Sequence, residues 1–187
     1  MKLSEIIQLA DLLLGTKVDS NVFVKTSMDA ELSSYLSQKP LSLLCECANL
    51  TLAEIACDYI QLCYKEVIVS NGIIDYKAFT KDVLSVLRIE DNKQKIKFRY
   101  TSSGVETDKG GKFEVIYTYK PKKCGFLDEV EKSVAITDRL IAYGIASEYC
   151  LLSGMYDEAS IWDKRYKDAL RCSARKGEIK ILPRLFV

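Results

Sequence analysis

Apolar residues recur at helical spacing from the first turns of the chain. Ile6, Ile7, Leu9, Ala10, Leu13 and Leu14 make one stripe, Ser4 stands before it as a helix cap, and Gly15 closes it. Residues 16 to 28 read as a connector, and Asp29 to Leu36 as a short helix. Pro40 suits the first position of a second long helix. There Leu41, Leu44, Cys45, Ala48, Leu52, Ile55, Ala56, Tyr59 and Cys63 keep the three-four spacing of a buried face, which predicts a helix running to about Tyr64.

The period then falls to two. "EVIVSNGIIDY" is a pair of apolar-rich runs around Asn71-Gly72, the strongest short hairpin signal. "DVLSVLRIEDNKQKIKFRY" repeats the pattern around Asp91-Asn92-Lys93, and "KFEVIYTY" alternates from Phe113 to Tyr119. Ser103-Gly104 and Gly110-Gly111 punctuate these runs and Pro121 closes them, which predicts four to six antiparallel strands. Helical spacing returns after Cys124-Gly125. Thr137 can cap a helix with Leu140, Ile141, Gly144, Ile145, Leu151 and Leu152 at its core. Gly154 makes a turn, and a last helix from about Asp157 carries Ala159, Trp162, Tyr166, Ala169 and Leu170.

Helices, strands and helices again predict an α+β fold. The expected form is a helical bundle, of N-terminal helices and a C-terminal αα-hairpin, with an inserted small antiparallel β-sheet and an extended C-terminal tail. Its parts are residues 1–64, the sheet at 65–122, the hairpin at 123–177 and the tail at 178–187. "GMYDEASIWDKRYKDAL" has the small-aromatic spacing of half a tetratricopeptide repeat. A repeat protein needs stacked copies, and no second copy occurs here. The stretch reads instead as the second helix of a single hairpin.

Composition removes several kinds of chemistry. The chain has no histidine, so Ser-His and Cys-His nucleophiles and most zinc sites are excluded. No phosphate-binding loop or dinucleotide fingerprint occurs. The carboxylate pairs Asp128/Glu129 and Asp157/Glu158 are adjacent residues that do not converge on one substrate. Seven cysteines contain no C-x-x-C pair. Cys45, Cys47, Cys57 and Cys63 fall in the one predicted helix. There Cys45 and Cys47 point about 160° apart, and Cys45 and Cys63 lie roughly 27 Å apart along the axis. They read as small hydrophobes of a reducing cytoplasm. No catalytic residues, cofactor or metal ligands are expected. The opening "MKLSEIIQLADLLLG" is interrupted by Glu5 and Asp11, unlike a signal peptide, and no apolar run reads as a membrane span.

Four stretches taken together carry a family resemblance: "LLCECANLTLAEIACDYIQL", "DVLSVLRIEDNKQKIKFRY", "FEVIYTYKP" and "RLIAYGIASEYCLLSGMYDEASIWDKRYKDALRCSAR". From about Leu43 to Arg175 the chain resembles the head-tail adaptor proteins of tailed bacteriophages and prophages, which include upper tail-tube and gatekeeper-ring proteins. The resemblance rests on element order more than on any one motif. It implies a virion protein, assembled in the bacterial cytoplasm as a homo-oligomeric ring, a dodecamer in this family. Such a ring sits at the head-tail junction, docks on the portal protein, extends the DNA channel and binds the next tail or nozzle protein.

Charge agrees with a ring near DNA. The net charge is +1, yet residues 81–123 hold eleven Lys/Arg against six Asp/Glu, and residues 1–64 four against eight. Lys93, Lys95, Lys97 and Arg99 alternate with other residues, so they can line one sheet face and meet phosphates without reading bases. A plain solvated strand face has the same pattern. The tail "KILPRLFV" joins apolar and basic residues. Leu182, Arg184, Leu185 and Phe186 are its expected contacts to a neighbouring subunit or the portal, with Phe186 as anchor. Packing of the tail back on its own sheet is the alternative. Three rivals stay open: an intracellular helical interaction module unrelated to phage, a small carboxylate or tyrosine enzyme, and a DNA-binding regulator.

Overall fold

The computed structural model describes residues 1–16, 18, 23 and 39–176. The expected helix at Asp29–Leu36, almost all of the 16–28 connector, and the tail with Leu182, Arg184, Leu185 and Phe186 lie outside the described residues. The chain divides into two compact units, Met1–Ile55 with Lys123–Val187, and Ala56–Lys122.

In the first unit, α1 (Leu3–Leu14) buries Leu3, Ile6, Ile7 and Ala10 and ends at Gly15. Ser4 does not cap it. Lys2 is the cap residue, its backbone N–H donating to Glu5 Oε2 at 3.0 Å, and Ser4 is buried within the helix. The backbone N–H groups of Leu3 and Ser4, which have no partner inside the helix, donate to the carbonyls of Asp128 and Phe126 at 2.9 Å. Helix α2 (Lys39–Glu54) buries Leu41, Leu44, Cys47, Ala48, Thr51 and Leu52. Lys39–Tyr59 matches a membrane span by length and composition, a test that a buried core helix also meets. The helix α3 (Asp138–Leu152) packs against α1, α2 and α4 (Tyr156–Lys176).

The second helix does not reach Tyr64. After Glu54 one wider π turn, Ile55–Tyr59, ends it, and strand β1 begins at Leu62. Cys63 is therefore a strand residue. From Leu62 the side chains alternate, and that period outweighs the helical spacing that Cys63 happens to continue.

The second unit corrects the expected architecture. It is not one small sheet inserted in a bundle. Seven strands form two antiparallel sheets, and the helices lie mostly toward the chain termini, so the fold is α+β without a bundle as its frame. The first sheet runs in the order β1 (Leu62–Ser70), β7 (Gly111–Lys120), β3 (Asp82–Asp91), β4 (Gln94–Ile96). The second runs β2 (Ile73–Asp75), β6 (Gly104–Thr107), β5 (Phe98–Tyr100). The Asn92-Lys93 hairpin forms as expected, with φ of 49° and 67°, the positive values of a tight two-residue turn. Asn71-Gly72 also turns the chain, but β1 pairs with β7 and β2 with β6. Ser70 Oγ donates to the Ile73 carbonyl at 2.6 Å and Thr107 N–H to the Gly72 carbonyl at 2.8 Å, which turns the corner from one sheet to the other. A single core fills the space between them. Ile68, Val86, Ile89, Phe113, Val115 and Tyr117 enter from the first sheet, and Ile74 and Val105 from the second.

Two contacts make this frame testable. A Cβ added at Gly144 of α3 would lie 2.4 Å from Thr51 Cγ2 and 3.0 Å from Tyr166 Cε2, so glycine lets α2 and α4 approach. In an open helix, alanine would gain about 1 kcal/mol over glycine. Here the overlap with a buried methyl outweighs that gain, and Gly144→Ala is expected to destabilise the protein by about 1–3 kcal/mol in denaturant unfolding. Thr51→Ser removes Cγ2 and should restore part of the loss when combined with it.

On the inner side of β1, the Glu66 carboxylate accepts hydrogen bonds from Thr80 N–H at 3.1 Å, Thr80 Oγ1 at 2.5 Å and Tyr117 Oη at 2.6 Å. Desolvation pushes its carboxyl upward, and the three hydrogen bonds together outweigh it, so the net direction is down from 4.5. A depressed carboxylate stabilises the fold above its ordinary pKa and loses that contribution as pH falls through the lowered one. The stability gap between wild type and Glu66→Gln, measured by urea unfolding, should therefore be widest near neutral pH and shrink as the pH falls below 4.5.

Candidate assembly surface

The α3–α4 hairpin is fixed locally at both ends. Thr137 Oγ1 accepts from Leu140 N–H at 3.2 Å, the expected cap. At the turn, Gly154 has φ of 77°, a conformation that glycine adopts without strain. Its N–H donates to the Leu151 carbonyl at 3.2 Å, and Met155 N–H to the Cys150 carbonyl at 2.8 Å. These two bonds cap the last turn of α3 and set the direction of α4. Ala159, Tyr166, Leu170 and Ser173 then face inward.

The same turn leaves apolar side chains in solvent. Tyr156 is 70% exposed, Leu152 54%, Leu151 50% and Ile161 57%. Between the helices lies a groove of about 300 Å³ lined by Leu151, Tyr156, Ala159, Ser147, Glu148, Ser160 and Asp163. Further along the hairpin, Tyr143 and Trp162 stack with centroids 5.8 Å apart. Arg139 lies 5.4 Å over Tyr143, and Arg165 4.9 Å over Trp162. By its helical spacing Trp162 reads as a packing residue, whereas it is only half-buried. Its spacing of three from Arg165, like the four between Arg139 and Tyr143, was the available signal for a partly exposed ladder.

Of the basic residues expected on one sheet face, all four are exposed, but they do not share a sheet. Lys93 is in the hairpin turn, Lys95 on β4, Arg99 on β5, and Lys97 is the lone residue between these strands, where the chain leaves one sheet for the other. Ile96 and Phe98 between them pack on the core, so the alternation survives the crossing. Arg99 is bound to Glu106 at 2.5 and 3.2 Å, and that hydrogen bond holds its guanidinium more firmly protonated. Lys97 and Arg99 border a cleft of about 450 Å³ with Phe98, Glu106, Thr107 and Asp108. Two acids among its lining residues offset the two cations.

Among the described residues no group of three or more His, Cys, Asp or Glu side chains is placed to hold a metal ion. No protein-family model matches the chain, and no curated protein matches it significantly. The cysteines are free, with Cys47 and Cys150 buried and Cys63 and Cys172 exposed. Burial pushes the Cys45 thiol up to about 11 and the Cys47 thiol up to about 12, with help from Glu46 at the first and chiefly Glu148 at the second. A thiol reacts as its thiolate. Iodoacetamide at pH 8 should therefore label Cys63 and Cys172 in the native protein well before Cys45 and Cys47, as read by peptide mass spectrometry. Rapid labelling of Cys47 without unfolding would contradict the packing described for α2.

Proposed function

We propose that this chain is a non-enzymatic structural protein, a head-tail adaptor of a phage or prophage particle. Its copies associate side by side as a ring that docks on the portal, extends the DNA channel and binds the next tail component. The observation that carries this proposal is the exposed apolar tip of the helical unit, with Leu151, Leu152 and Tyr156 on both sides of the Gly154 turn. Exposed apolar side chains gathered at one turn are the kind of surface that a protein partner covers. The resemblance of Leu43–Arg175 to head-tail adaptors supplies the kind of contact: identical neighbours in a ring, and a portal beneath it.

In this proposal Leu182, Arg184, Leu185 and Phe186 grip a neighbour or the portal. Lys93, Lys95 and Lys97 supply non-specific charge toward passing DNA, and Arg99 contributes less because Glu106 neutralises it. The α3–α4 groove supports a second reading, an interaction module that takes a peptide from an unrelated partner between Leu151 and Tyr156.

Sedimentation velocity of the protein alone, and mixed with the portal protein of the same genome, separates the two. An adaptor gives a large species that incorporates portal; a peptide-binding module stays a monomer or dimer in both. Leu151→Glu with Tyr156→Glu should weaken self-association by about 100-fold or more, since apolar anchors at an interface centre dominate its energy. Because both positions are exposed, unfolding free energy should change by less than about 1 kcal/mol.

A further inference from the structure

We propose that the outer edge of β1 is the receptor for the segment Glu178–Val187 of a second copy of this chain, which adds to the first sheet as an extra strand. This rests on the assembly proposed above and names the place where the C-terminal segment is held.

An edge strand presents a row of backbone donors and acceptors, and proteins that stay apart blunt it with charge, bulges or cover. The first sheet has two ends, and they are treated differently. At one end β4 covers β3 only at Ile89–Asp91. Further back, the Tyr100 hydroxyl takes over: it accepts from Val86 N–H and donates to the Val86 carbonyl, both at 2.9 Å. That edge is plugged. At the other end, β1 is nine residues long and pairs with β7 along its whole length, and no described strand lies on its other side. The lysine of this strand, Lys65, is tied across to Glu114 at 2.7 Å, so its charge is directed toward β7 and not the edge. Val67 and Val69, β-branched residues suited to a sheet surface, are 54% and 76% exposed beside it.

The sequence of residues 178–187, "EIKILPRLFV", fits such an edge. Its ten residues match the nine of β1. At strand period Ile179, Ile181, Pro183, Leu185 and Val187 share one face, which can continue the Val67–Val69 surface. Lys180, Leu182, Arg184 and Phe186 share the other. Proline has no N–H to donate to a ladder, so Pro183 confines this segment to an outermost strand with that position turned away from its partner, the position an added strand takes.

Hydrogen exchange of the full chain, read by mass spectrometry at dilute and assembling concentrations, tests the pairing. Amides of Leu62–Val69 should exchange at least about tenfold more slowly in the assembled state, with β3 and β7 amides reporting that the sheet is folded throughout. Removing residues 178–187, or substituting Ile179→Asp with Ile181→Asp, should abolish the extra protection, and a synthetic peptide of residues 178–187 should restore it. If β1 exchanges alike in wild type and both variants at assembling concentration, the pairing is wrong, even where sedimentation still shows a ring. Protection that depends on the segment but not on protein concentration assigns it to the same chain and overturns the second-copy assignment. Concentration-dependent protection in a species that stops at a dimer supports the pairing while the ring itself fails.

Discussion

The β7 strand has to satisfy two neighbours at once. Every residue from Gly111 to Lys120 lies in a ladder, with β1 on one side and β3 on the other over most of its length. Its inward side chains Phe113, Val115 and Tyr117 are fully buried. A strand occupied on both edges fixes what its partners can do. Each of β1 and β3 has only its other edge left to pair: β4 and the Tyr100 hydroxyl take that of β3, no described strand takes that of β1, and the short strands have to close the core from a second sheet. Ser70–Ile73 and Lys97 are where the chain makes that change. The Glu66 carboxylate then ties β1 to Thr80 at the entry to β3 and to Tyr117 of β7 itself. The unequal edges of the first sheet, one plugged by Tyr100 and one without a described strand beside β1, follow from this arrangement.

The helical unit depends on close approach. Gly144 puts the backbone of α3 against Thr51 and Tyr166, and Thr51 Oγ1 is a buried hydroxyl without a hydrogen-bond partner among the described residues. Such a group costs about 1–3 kcal/mol when left unsatisfied. Its methyl group fills space at the crossing, which a serine would leave empty. Asn49 does the reverse, using its whole amide: Nδ2 donates to the Cys45 and Cys124 carbonyls, and Oδ1 accepts from Cys124 N–H at 2.8 Å. A frame held this way places the Gly154 turn and its exposed leucines and tyrosine on a stiff support, as a contact surface requires.

What could be read from the sequence was local. The end of α1 at Gly15, the Thr137 cap, the Gly154 turn and the Asn92-Lys93 hairpin each depend on residues a few positions apart, and each formed as expected. Where the structure differs, the deciding contacts are distant in the chain. Asn71-Gly72 has hairpin chemistry, but whether its flanking runs pair depends on Thr107, far along the chain, taking the Gly72 carbonyl. Lys93 to Arg99 alternates without a break, and nothing in that alternation marks Lys97 as the crossing between sheets. Ser4 lost the cap position because the carbonyls of Phe126 and Asp128 receive the first N–H groups of α1. At the candidate surface, the hairpin was legible, but the exposure of Leu151 and Leu152 was not. Both fit the core spacing of α3, and only the capped turn at Cys150–Met155 shows that the helix has left its neighbours by that point.

In the proposed function this chain builds a ring on a portal. Electron cryo-microscopy of the purified protein incubated with the portal protein of the same genome tests it most directly. The expected result is a ring of this chain coaxial with the portal, with the α3–α4 turn of each copy buried against its neighbour. Portal particles that remain bare at saturating protein, with this chain dispersed as single copies around them, would contradict it.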